Sequence, residues 1–185
     1  QALERAIEVG VLCSNATLQA GDANGTGDPM ELALLRLGVL AGIHREALLA
    51  VWPELYELAF DAETKMMATA HRRDGNLFVA IKGAPEAVLS FALGVEGNGR
   101  CGLSAEERKA WLAHAGTLAE DGMRVLALAE KTVPVTAKPS YDALNFLGLV
   151  GFRDPPRAEV KQAIEACKLA GIRVVMVTGD HAVTA

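Results

Sequence analysis

Cysteine is scarce in this chain. Cys13, Cys101 and Cys167 stand far apart and form no Cys-x-x-Cys pair. A sparse, odd count excludes a disulfide framework and a cysteine zinc site, and fits reduced thiols. Long apolar runs are also missing. None reaches about 18 residues, the minimum for a spanning helix, and no signal-peptide pattern is present, so this chain does not itself read as crossing a membrane. Basic charge is not in excess either. The formal net charge of −5 excludes a general nucleic-acid binder, whose footprint is basic. Histidines are few and isolated. His44, His71 and His114 read as surface or packing residues rather than metal ligands, while His181, beside a carboxylate turn, stays open. A Gly-x-x-x-x-Gly-Lys-Ser/Thr phosphate loop is absent. Asp22-x-Asn24-x-Thr26-Gly27 starts like a calcium loop, but its twelfth position is Ala33, which rejects an EF-hand.

What is present is a globular composition, 51% hydrophobic and 22% charged over 185 residues. The chain begins at Gln1 and reads as a piece of something larger. Spaced apolar positions predict a helix from residue 2 to about Ser14-Asn15, then a glycine-rich loop, Gly21–Pro29. Helices follow over Glu31–Leu40, with Pro29 near its start, and over His44–Val51. Leu55–Ala59, Lys65–His71 and Leu77–Ile81 read as strands, the last two joined by the Asp74-Gly75-Asn76 hairpin turn. Pro85–Phe91 is a short helix. Ser104-x-x-Glu107 is a capping box opening a helix to about Glu120. Val125–Val133 is a further strand, and Ala137–Ala143 an extended loop.

The pattern then changes to an apolar strand Phe146–Phe152, an amphipathic helix Arg157–Ala170 capped by Gly171, and an apolar strand Val174–Val177. That is one β-α-β unit, expected to be parallel with a right-handed crossover. The fold expected is therefore α+β, an antiparallel sheet flanked by helices over residues 1–142, followed over 143–185 by part of an α/β unit. These two strands are expected to need sheet neighbours from segments this chain does not contain. Exposed apolar edges invite pairing or disorder, so residues after about 150 are expected to be poorly ordered, displaced or paired with another chain.

Several residues sit where chemistry is possible. Lys82 ends a strand before Gly83, where the missing Cβ lets a flat ring approach the backbone. Taken alone, Lys82 reads rather as an ordinary solvated lysine at a strand end. Phe60 follows a strand and can stack on a base or fill the core. Lys65 can cover a ligand or simply face water. Glu31, at a helix N-terminus, is favoured by the dipole and is also placed to accept from an exocyclic amine. Arg124 enters a strand and can pair with phosphate or carboxylate. Asp154-Pro155-Pro156-Arg157 gives a rigid strand exit, with Asp154 able to cap the next helix or to join a carboxylate cluster. Thr178-Gly179-Asp180 places a hydroxyl, a flexible turn and a carboxylate at the carboxyl end of a strand, the edge where open α/β sheets bind ligands.

The order of these segments is more informative than any of them alone. Gly27-Asp28-Pro29-Met30-Glu31, Phe60-Asp61-x-Glu63-x-Lys65-x-Met67, Lys82-Gly83-Ala84-Pro85-Glu86, Met123-Arg124-Val125-Leu126-Ala127, Asp154-Pro155-Pro156-Arg157 and Met176-Val177-Thr178-Gly179-Asp180 occur in sequence. Over nearly its whole length the chain resembles the cytoplasmic ATP-binding region of a P-type cation-transporting ATPase, most similar to the type II group. The resemblance implies a nucleotide-binding domain followed by part of a phosphorylation domain with a haloacid-dehalogenase-like fold. It implies ATP as ligand and Mg²⁺ in the intact enzyme. Phe60 would stack on adenine, Lys82 and Gly83 would line its pocket, and Lys65 would lie near the base or phosphates. Glu31 would contact the adenine amino group, and Arg124 would reach toward the phosphates. Asp154, Thr178, Gly179 and Asp180 would belong to the phosphorylation domain, with Thr178 as its phosphate-contacting hydroxyl.

The partners implied are the remaining actuator, phosphorylation and transmembrane parts of one polypeptide, with the transported cation bound elsewhere, in membrane helices. The location implied is the cytoplasmic side of an integral membrane protein. The chain departs from the family pattern at Met30, where threonine is usual, and at Ala62, where some members carry arginine. The family's phosphorylated aspartate, in Asp-Lys-Thr-Gly-Thr, is expected before Gln1, so this chain is expected to bind ATP without hydrolysing it. Two rivals are a haloacid-dehalogenase-like phosphatase with a cap domain and a non-catalytic adenine-nucleotide sensor.

Overall fold

The computed structural model describes residues 1–18, 25–95, 102–153, 159–175 and 177. In chain order the elements are α1 (Ala2–Leu12), α2 (Pro29–Leu40), α3 (Arg45–Val51), β1 (Glu54–Asp61), β2 (Met66–Arg73), β3 (Asn76–Gly83), α4 (Pro85–Phe91), β4 (Ala92–Val95), α5 (Ala105–Glu120), β5 (Arg124–Pro134), β6 (Leu144–Phe152) and α6 (Val160–Leu169). Local chemistry accounts for several boundaries. Asp28 accepts from the Met30 and Glu31 N–H groups and Pro29 opens α2. The Ser104–Glu107 capping box forms as expected at the start of α5. Asp74 and Gly75 both take positive φ, 50° and 78°, and join β2 to β3 by the two-residue turn that suits strand twist.

The six strands of the described residues form one sheet in the order β1-β2-β3-β5-β6-β4. Neighbours from β1 through β6 are antiparallel, and β4 joins the edge parallel to β6. The sheet is therefore mixed, not antiparallel as the sequence suggested. Ala92–Val95 is too short to show a period, and its partner lies some fifty residues further along the chain.

Helices cover the sheet on both faces, so its central strand, β3, is apolar almost throughout and shows no alternation. Leu77, Val79 and Ile81 pack with Met66, Ala68, Ala127 and the α4 residues Val88 and Leu89. Phe78 and Ala80 point the other way, onto Met67, Leu128 and the α1 residues Val9, Leu12 and Cys13. A third cluster, Ile7, Val11, Leu32 and Leu35, locks α1 to α2. That contact is close: a Cβ on Gly38 would lie 2.5 Å from Val11 Cγ2 and 2.7 Å from the Ile43 carbonyl oxygen.

The last forty residues differ from expectation. The strand expected over Phe146–Phe152 forms, but it does not open a separate parallel unit. It pairs antiparallel with β5, Leu126 opposite Val150, and parallel with β4. Its apolar residues find neighbours in the first sheet, and Phe146 is fully buried there. The strand expected over Val174–Val177 is not observed. Residues 172–175 and Val177 carry no strand pairing, and Val174, Val175 and Val177 are exposed. Met176 lies outside the described residues. Apolar character alone does not make a strand without a partner edge. Helix α6 is shorter than predicted and carries no buried residue, with Gly171 beyond its end at φ 72°.

Candidate functional site

At one end of the sheet, where β3 finishes and β5 begins, the first turn of α2 leans over the strand ends and leaves a pocket of about 490 Å³. Pockets of about 300–1,000 Å³ accommodate small organic ligands. Its charged lining is Asp28, Glu31, Lys65 and Lys82. Its apolar lining includes Met30, Leu34, Phe60, Met67, Val125 and Leu126. Two acidic and two basic side chains make the formal charge of the lining zero.

Lys82 anchors the floor. It lies on β3 opposite Met67 of β2 and Leu128 of β5, on the same face as Ala80 and Phe78. It is only 8% exposed, far from the solvated lysine that its sequence position alone suggests. Its ammonium donates to Glu31 Oε1 at 2.5 Å, and both side chains are nearly buried. The other Glu31 oxygen accepts the Asn15 and Ala16 N–H groups, each at 2.9 Å. One carboxylate thus ties the end of β3 to the connection after α1 and to the start of α2. The charges neutralise each other and the remaining lone pairs are used, which is the condition for a buried pair to be tolerated.

Phe60 sits on the edge strand β1 and is 66% exposed while lining the pocket. The β1–β2 register is irregular between Leu58 and Asp61, and such an extra residue re-aims side chains locally. Lys65 closes the following turn in the left-handed region, φ 55°. Its N–H donates to the Asp61 carbonyl at 2.7 Å, and its own carbonyl accepts the Ala84 N–H at 3.0 Å. Its ammonium donates to Glu86 at 2.9 Å.

Gly83 lines the pocket and also meets a packing demand inside the protein. A Cβ there would lie 2.6 Å from the Lys65 carbonyl oxygen and 2.7 Å from Met66 Cγ. The missing side chain admits the protein's own backbone. Gly83→Ala is accordingly expected to destabilise the fold by about 1–3 kcal/mol, read as a shift in the urea midpoint. An unchanged midpoint would show that the turn yields freely.

Of the site residues singled out in the sequence, Glu31, Phe60, Lys65, Lys82 and Gly83 converge on this pocket. Arg124 does not join them. It is exposed at the start of β5, opposite Phe152, and the next two residues, Val125 and Leu126, form the wall. Asp154, Thr178, Gly179 and Asp180 lie outside the described residues. The apolar wall of Leu34, Ala84, Val125 and Leu126 escaped sequence reasoning, although the motifs containing most of it had been noted. Among the described residues no group of three or more His, Cys, Asp or Glu side chains is placed to hold a metal ion. The pocket can take a flat apolar ring against an exposed aromatic, with an anionic extension toward Lys65.

Comparison with known proteins gives the family of the chain. The family model described as "P-type ATPase, cytoplasmic domain N" matches residues 2–159. A "Calcium-transporting ATPase 1" of Bacillus cereus is 37% identical over 179 residues, covering 95% of this chain and 20% of the relative. A "Calcium-transporting ATPase" of Bacillus subtilis is 35% identical over 191 residues, covering 99% of this chain and 22% of the relative. A "Sodium/potassium-transporting ATPase subunit alpha-B" of Artemia franciscana is 30% identical over 203 residues, covering 97% and 20% respectively. The chain spans about a fifth of the length of these relatives.

Proposed function

The chain belongs to the P-type ATPase cytoplasmic domain N family, and from that premise we propose that it is the ATP-binding unit of a cation-transporting P-type ATPase. The observation that carries the reading is the convergence of Glu31, Phe60, Lys65, Lys82 and Gly83 on one pocket from α2, β1, the β1–β2 turn and β3. Phe60 stacks on adenine. Lys82, held by Glu31, presents a fixed positive charge to the ring nitrogens. Lys65 faces the phosphates, and Arg124 reaches them from outside the pocket. Mg²⁺ would enter with the phosphates.

In the complete enzyme, hydrolysis through an aspartyl-phosphate would drive cation movement through membrane helices. Among the described residues no helix is long and apolar enough to cross a membrane; in this reading the membrane helices, the actuator and the transported cation belong to other parts of the polypeptide. Asp154 and Thr178–Asp180 are assigned in this reading to the phosphorylation-domain portion; the place of β6 in the main sheet supports a start for it after Phe152. The sequence contains no Asp-Lys-Thr-Gly-Thr, so this chain binds ATP without forming a phosphoenzyme. Transfer of radiolabelled phosphate from ATP to the chain would refute that.

The direct test is a calorimetric titration with ATP. Saturable binding is expected at about 0.1–1 mM, or roughly −4 to −5 kcal/mol. Phe60→Ala should weaken it by about 1–3 kcal/mol, and Lys82→Ala should abolish it. A folded wild-type sample that shows no saturation at several millimolar ATP would overturn the assignment.

A further inference from the structure

Four formal charges line the pocket and cancel. Lys82 is buried against Glu31, so its ammonium is already committed. Lys65 is the lining lysine that stands half exposed, and Glu86 takes its ammonium at 2.9 Å. The backbone of both partners is fixed. Lys65 is held in a left-handed turn by the Asp61 carbonyl. Glu86 sits in the first turn of α4. The Ala84 N–H to Lys65 carbonyl bond fixes one anchor to the other. Burial pushes the Glu86 carboxyl up, but the Lys65 hydrogen bond and a backbone N–H outweigh it and hold the group below its ordinary value. Glu86 is therefore ionised at neutral pH. Glu86 thus sets a negative charge against Lys65, the lining lysine that Glu31 does not already hold.

We propose that Glu86 is a specificity-determining residue that competes with the ligand's phosphates for Lys65, and so lowers affinity for the polyphosphate relative to the bare nucleoside. This rests on the nucleotide-binding reading above. The base pocket does not involve Glu86. Its effect must therefore appear in the phosphate-bearing ligands alone and grow with the number of phosphates. A weakly held ATP is also one that leaves readily, which suits a unit that must release nucleotide in every cycle.

The experiment is a titration of the chain with ATP, ADP, AMP and adenosine at low and moderate salt, for wild type, Glu86→Gln, Glu86→Asp, Lys65→Met and the Lys65→Met/Glu86→Gln double variant. Glu86→Gln should tighten ATP by about two- to fivefold, the range for an exposed pair, and leave adenosine unchanged. Glu86→Asp, which keeps the charge, should behave as wild type. The gain from Glu86→Gln should shrink when Lys65 is already methionine, and it should fall at higher salt. Parallel shifts for ATP and adenosine would indicate a merely structural effect and overturn the proposal. Weaker ATP binding by Glu86→Gln would also overturn it, by showing that Glu86 orients Lys65 toward the phosphates. If wild type binds adenosine and ATP but Glu86→Gln leaves their ratio unchanged, only this proposal falls. If wild type binds neither, the nucleotide reading falls with it.

Discussion

Replacing Glu31 by alanine is expected to cost about 3–5 kcal/mol of folding free energy, the loss typical of breaking a buried ion pair from one side. The variant leaves the Lys82 ammonium nearly buried with its partner removed and takes the acceptor from the Asn15 and Ala16 N–H groups. Lys82→Met should cost less. There Glu31 keeps two charge-assisted bonds from the backbone, and the methionine stem fills the space against Met67 and Leu128. The order of the two variants is the informative result. Urea unfolding at neutral pH measures it. Equal and small losses, below about 1 kcal/mol, would show that the pair behaves like a surface contact and does not tie β3 to α2.

Acidification should weaken the fold before the carboxylates titrate, through His71. Its side chain is wholly buried. Nε2 lies 2.9 Å from Thr69 Oγ1, and that hydroxyl donates to the Leu12 carbonyl at 3.2 Å. The hydroxyl proton is thus spent, and its lone pair accepts from Nε2–H. Burial is the main cause that lowers the His71 pKa to about 4. The Trp52 carbonyl, 3.3 Å from Nδ1, pulls upward, and the Arg45 charge pushes further down. The folded protein therefore holds His71 neutral, while the unfolded chain protonates it near the ordinary value of about 6.5.

The contribution is present in full above about pH 6.5 and declines as pH falls. It levels off below about 4, with a total loss of up to about 3 kcal/mol. Unfolding free energies at pH 7.5, 6 and 5 should fall for wild type and stay flatter for His71→Gln, which keeps an amide donor and acceptor. Parallel slopes for the two proteins would remove His71 as the cause.

Much of the local structure was legible because it depends on neighbours in sequence. The capping box at Ser104, the proline start of α2 and the turn at Asp74-Gly75 are each decided within four residues, and each forms. The strands β2, β3 and β5 were visible as apolar runs of the right length. The site was legible in a different way. Glu31, Phe60, Lys65, Lys82 and Gly83 were found through the order of short motifs, and alone Lys82 and Phe60 favoured the bland reading.

The sequence by itself determined the caps, the tight turn and most helices and strands before Pro134, which residues carry charge into the neighbourhood of the pocket, and the family to which they point. Only the tertiary structure decided that Phe146–Phe152 completes the first sheet, that Ala92–Val95 is a strand at all, and that Val174–Val177 is not one in the described residues. It alone decided that Lys82 is buried against Glu31, 51 residues away, and that Gly83 makes room for the Lys65 carbonyl. The reason is common to all of these. A strand's hydrogen-bond partner, a buried charge's counter-ion and the atom that fills the place of a missing Cβ come from distant parts of the chain, and local pattern does not encode which distant part arrives.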